Sequence, residues 1–155
     1  MRDQRFIAEH RGGPLKKEQH RQLIIWACNC AEHVFPLLRE EPDERLKYAI
    51  IIAKEWEKGI ASVGDARNAS LNSIAIANES TDQVAVAIAR SVGHAVATAH
   101  MADHSLGAAI YALKAVRNAG KSTEIEKKYQ NEQLPSGITE LVLTARIKKD
   151  AIFKV

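Results

Sequence analysis

The stretch Val84–Ala99, VAVAIARSVGHAVATA, decides the fold. Wound as a helix it is apolar on nearly every side, and such a helix belongs in the middle of a bundle. Alanine supplies about half of its apolar content, so neighbouring helices can approach closely. It is 16 residues long and contains Arg90 and His94, which makes it too short and too polar for a bilayer span. Ser80 and Gln83 form a capping signal that opens the helix at about Thr81.

Upstream the periodicity stays helical. Ser62 with Asp65 resembles a capping box and opens a helix through Leu71, Ile74 and Ala75 to about Asn78. Leu46, Ala49, Ile50, Ala53 and Trp56 make the apolar face of another helix, which Gly59 stops. From Lys16, one stripe runs through Leu23, Ile24, Ala27, Ala31, Val34, Phe35 and Leu38, and a second through Trp26, Cys30, His33 and Leu37. This helix is expected to be contacted on two sides, to weaken near Pro36 and to end before Pro42.

Downstream, either Asp103 caps a separate helix to Ala119 or the chain continues unbroken through Met101. A charged helix spans about Thr123–Gln133, Pro135 and Gly137 interrupt, and Ile138–Lys149 forms a last helix, although its ELVLTARI also suits a strand. Five residues from Asp43 to Lys54 recur from Asp103 to Lys114 at a constant offset of sixty, an echo too short to define a repeat. The expected fold is all-α, a single-domain bundle of six to seven helices over residues 1–155 with an N-terminal arm at about 1–15.

The chain has 155 residues, with 22 Lys and Arg against 19 Asp and Glu, a net charge of +3 without a basic block. That balance argues against a nucleic-acid partner. MRDQRFIAEHRGG lacks the apolar core of a signal peptide, so a cytoplasmic protein without a membrane segment is expected. Cys28 and Cys30, two apart in a helix, point to different faces and read as reduced, buried thiols.

Three features carry possible chemistry. AVRNAGKS at 115–122 fits the loose phosphate-loop string, but a helical face precedes it where that motif needs a strand, so Gly120 is better read as a helix stop. His94, His100, Asp103 and His104 form the densest titratable cluster, with His100 and His104 spaced for one helical face. No HExxH or paired Glu-x-x-His motif accompanies them, so no metal, cofactor or catalytic residue is assigned, and internal hydrogen bonding is their expected role. Arg90, His94 and Thr98 lie along one strip of the central helix, where a buried arginine would need a partner such as Asp3 or Glu32. The arm brings Arg5, His10 and Arg11, and is expected to pack back through Phe6, Ile7 and Leu15 while its arginines cap helix ends or pair with acids.

The segments RDQRFIAEHRGGPL, HRQLIIWACNCAEHVFPLL, AIIIAKEWEKG, ARSVGHAVATAHMADHSLGAAIYALKAV and YQNEQLP resemble the Imm-5-like putative immunity proteins of bacteria and some archaea. Arg5, His10, Arg11, His94, His100, Asp103 and His104 match that pattern. The resemblance implies a cytosolic protein that is not an enzyme and neutralises a cognate toxin by direct protein–protein binding. Two other readings stay open at this level: a helical homo-oligomeric module without activity, and a metal protein or enzyme built on the histidines.

Overall fold

The computed structural model describes residues 2–154, so that Met1 of the expected arm and Val155 of the last segment lie outside the description. It contains α1 (Lys17–His33), α2 (Glu44–Glu57), α3 (Val63–Glu79), α4 (Gln83–Ala97), α5 (His104–Asn118), α6 (Thr123–Glu132) and α7 (Thr139–Phe153). The helix α4 is central, touching α1, α2, α3 and α5: Ile88, Val92 and Val96 are buried along one strip, and Val86 is buried on another side. Small residues set the close approaches expected of it. Ser70 Oγ of α3 donates to Gly93 O at 3.0 Å, and Ser91 Oγ donates to Ala108 O of α5 at 2.7 Å.

The two stripes of α1 face two cores. Ile24, Ala27, Cys28 and Ala31 join the core built around α4, while Trp26 and Cys30 join a second core with Phe6 and Leu15 of the arm, Leu106 of α5, and Ile138 and Val142. Leu23, assigned by spacing to the first stripe, belongs to this second core. Both thiols are free and buried, and burial raises both pKa values, that of Cys28 to about 12. The helix ends at His33, sooner than its periodicity suggests. Pro36 disfavours the helical conformation at Phe35, and residues Phe35–Leu37 tighten into a 3-10 turn.

Two further expectations, the caps of α4 and α5, are corrected, and the helix expected through Leu71 and Ile74 forms with those two side chains outward. Asp82, not Ser80, caps α4: its carboxylate accepts from the amides of Val84 at 2.9 Å and Ala85 at 3.4 Å. Ser80 closes α3 instead, because a charged carboxylate is the stronger acceptor at a helix N-terminus. Leu71 and Ile74 are 64% and 42% exposed, because α3 turns its small face of Ala66, Ala69, Ser70, Ser73 and Ala77 inward. Asp103 stands at the start of α5, which settles that α4 and α5 are separate, but its side chain caps nothing. It lies instead 3.6 Å from Arg2 of the arm.

ELVLTARI is helical. Val142, Ala145 and Arg146 bury at helical spacing, whereas Ile147 is 76% exposed, a division that strand alternation would not produce. Arg146, only 4% exposed, donates to Gln130 Oε1 at 2.7 Å and Asn131 Oδ1 at 3.0 Å, and its guanidinium stands 5.8 Å from the Trp26 ring centre. Gln130 in turn donates to Ala109 O at 3.1 Å, while its own carbonyl accepts the Trp26 indole N–H at 2.8 Å. One polar network thus ties α1, α5, α6 and α7 together.

Candidate functional site

Between α3, α4 and α5 lies a cleft of about 470 Å³. From α3 come Arg67, Leu71, Ile74 and Asn78, from α4 Arg90, His94 and Ala97, and from α5 His104 and Tyr111. His100 enters from the turn between α4 and α5. The cleft exists because large side chains stand outside the line where α3 meets α4 through Ser70 and Gly93.

His94 is the best-held group. Its Nδ1 lies 3.1 Å from His104 Nδ1, so one ring donates and the other accepts. Its ring stacks on Tyr111 with centroids 5.1 Å apart and an interplanar angle of 24°. On α5, Gly107 makes room for it: a Cβ there would sit 2.5 Å from His94 Nδ1. His100 stands beside the pair, its ring centre 5.5 Å from that of His104, and its buried Nδ1 has no partner among the described residues.

Electrostatics keep these rings neutral. Desolvation, followed by the proximity of His104, Arg90 and Lys149, lowers the His94 pKa to about 4. Desolvation also lowers that of His100, with His104, Arg67 and Arg11 acting the same way. For His104 desolvation outweighs the opposing pull of Asp103. A base with a pKa near 4 is far from the range that suits proton transfer at neutral pH. Among the described residues, no three His, Cys, Asp or Glu side chains are grouped so that they could hold a metal ion. The cleft therefore offers hydrogen-bonding rings and positive potential.

Of the eight residues singled out from sequence, Arg90, His94, His100 and His104 meet here. Arg90 is exposed at the cleft rim, with neither Asp3 nor Glu32 as its partner: its guanidinium stands 5.9 Å from the Tyr111 ring centre. Those two acids are engaged by Arg5 at 2.7 Å and Lys54 at 2.8 Å. Asp103 lies behind the cleft with Arg2, and Arg5 also donates to Thr144 Oγ1 at 2.6 Å. Arg2 and Arg5 of the arm thus meet acids and a hydroxyl as expected, whereas Arg11 forms no ion pair among the described residues. His10 and Arg11 line a separate groove that His100 shares. Sequence reading missed Arg67, Leu71, Ile74, Gly107 and Tyr111. For two of them a signal was present, since Gly107 and Tyr111 follow His104 by three and seven residues on one face of α5.

The phosphate-loop string forms a helix end. Gly120 adopts φ +75°, and the amides of Gly120 and Lys121 donate to Arg117 O at 2.9 Å and Val116 O at 3.0 Å. Ser122 Oγ accepts from the Ile125 amide at 3.3 Å to start α6. The amides of Gly120 and Lys121 are therefore already bonded.

No curated protein and no solved structure matches the chain. Residues 13–137, which include all of α1 to α6 and every residue of the cleft, match the family described as Imm-5 like putative immunity protein.

Proposed function

The chain belongs to the family of Imm-5 like putative immunity proteins, and on that footing we propose that it protects the cell that makes it by binding a cognate toxin directly in the cytoplasm. The observation that carries this reading is the extent of the family match, which runs through six of the seven helices. Occlusion of a toxin requires a complementary surface with a few anchoring side chains and oriented charges, and no chemistry in the inhibitor. The edge of the cleft supports that role, since Leu71 and Ile74 stand exposed beside Arg67 and Arg90. Apolar anchors among arginines are common at protein interfaces.

Co-expression with the toxin candidate encoded beside it tests the proposal. Growth is expected to be rescued, and the two chains are expected to purify together. Rescue without a complex, or failure of the folded protein to rescue against every adjacent candidate, overturns it.

A further inference from the structure

The cleft carries an unbalanced charge. Arg67 reaches it from α3 and Arg90 from α4, and among the described residues neither forms an ion pair. Arg5 pairs with Asp3 and Arg45 with Asp43 and Glu79, whereas the exposed Arg11, Arg39 and Arg117 form no ion pair among the described residues, so what marks the cleft is that two such cations share one cavity. Among the described residues, no Asp or Glu lines the cleft. Around the His94–His104 pair stand Arg67 of α3, Arg90 of α4, His100 in the turn, Tyr111 and Lys114 of α5, and Lys149 of α7. Asp103 is the nearby carboxylate, and it faces Arg2 of the arm.

The histidine pair adds a proton-accepting element. With one hydrogen between the two Nδ1 atoms, both rings are neutral, and the donating ring keeps a bare Nε2. The pair can take one further proton at that Nε2 without losing its internal bond. Surrounding cations oppose that step, and an anion in the cleft would favour it. Leu71 and Ile74 of α3 and Ala97 of α4 give the cleft an apolar lining, and about 470 Å³ lies within the range of small-molecule sites.

We infer that the cleft binds a small organic oxyanion, a carboxylate or phosphate on an apolar body, held by Arg67 and Arg90 with its body against Leu71 and Ile74, and that it enters together with a proton on the His94–His104 pair. Guanidinium forks match both kinds of oxyanion, and the apolar wall selects a body over a free inorganic ion. This inference does not depend on the toxin reading.

The test uses the full chain with benzoate, phenyl phosphate and neutral benzamide, followed by melting temperature and by the histidine ring resonances. At least one anion is expected to raise the melting temperature and shift the His94 and His104 signals, while benzamide does neither. Binding is expected to tighten by up to about tenfold for each unit the pH falls from about 7.5 towards 5.5. The double variant Arg67→Gln/Arg90→Gln, altered only at exposed positions, should fold normally and lose at least about tenfold in affinity, in line with the loss of charge-assisted hydrogen bonds. Equal responses to benzamide, unchanged affinity in the double variant, or binding that ignores pH each overturn the inference. So does the absence of any response to either anion; if the double variant then also loses a toxin complex, the cleft belongs to an acidic side chain of the partner.

Discussion

Replacing Gly107 with alanine should reverse the outcome that exchange usually has in a helix. An interior glycine costs about 1 kcal/mol relative to alanine, so the substitution would ordinarily stabilise α5. Here the new Cβ would lie 2.5 Å from His94 Nδ1, 2.9 Å from Cγ and 3.0 Å from Cε1. The ring has little room to retreat, because it also stacks on Tyr111 at 5.1 Å and is bonded to His104 at 3.1 Å. Accommodating the methyl group means turning His94 out of the pair. Overpacking costs about 1–3 kcal/mol and an orphaned buried ring nitrogen about 1–3 kcal/mol more. Less the helix gain of about 1 kcal/mol, the net loss is about 3 kcal/mol, or roughly 6–12 °C in melting temperature for a chain of this size.

The control is the same exchange in a His94→Ala background. With the ring gone the methyl group meets no obstacle, and Gly107→Ala should then stabilise by about 1 kcal/mol. Urea unfolding of the four chains measures a coupling of about 4 kcal/mol between the two positions. Gly107→Ala that stabilises the wild type, or that costs the same in both backgrounds, would refute the reasoning.

The His94 pKa of about 4, against an ordinary 6.5, means that the folded chain holds its proton less well than the unfolded chain. Its contribution to stability is therefore full above the ordinary value and is lost as pH falls towards 4, by about 2 kcal/mol between about pH 7 and 5. Urea midpoints should show this fall in the wild type and a shallower one in His94→Gln; parallel falls would place the effect elsewhere. Arg146→Ala should destabilise by about 3–5 kcal/mol, because it strips Gln130 and Asn131 of a buried donor and leaves the Asp150 carboxylate with a weaker partner set; a loss under about 1 kcal/mol in chemical denaturation would mean that the network relaxes freely. ATP should leave the melting temperature unchanged, since the amides of Gly120 and Lys121 are bonded at the end of α5; a rise abolished by Lys121→Ala would contradict this.

Hydrophobic periodicity located the helices well where large apolar residues mark the buried side. The central place of α4 and the two-faced packing of α1 were legible for that reason. In α3 large apolar residues do not mark the buried side. Its buried face consists of alanines and serines, whose value lies in letting α4 come close, while its larger Leu71 and Ile74 stand outside. Arg90 misled for the converse reason. A run that is apolar elsewhere suggested burial all round, yet the cleft opens one side of α4 to solvent. Within the site, His94, His100 and His104 were visible because they cluster within eleven residues. Arg67 comes from another helix, and no spacing along one chain segment could place it opposite Arg90.

Six buried hydroxyl and amide side chains and His20 bond the backbone, whereas the buried Glu126, Arg146 and Asp150, like the histidine pair, engage other side chains. Ser70, Ser73, Ser91, Thr98, Ser105 and Gln130 each donate to a backbone carbonyl, and the His20 ring bonds Thr98 O at 2.6 Å. These are the ordinary means by which a helical bundle satisfies a polar side chain. His94 and His104 bond each other instead, in a setting that opposes their protonation, and α5 carries a glycine to admit the arrangement. An alanine at 107 with an apolar residue at 94 would serve the bundle's stability better, by about 1 kcal/mol from helix propensity alone. The pair and its glycine thus depart together from what folding requires, at one place. Local concessions of this kind gather where a protein meets something other than itself, and this is the physical ground for placing a ligand in this cleft.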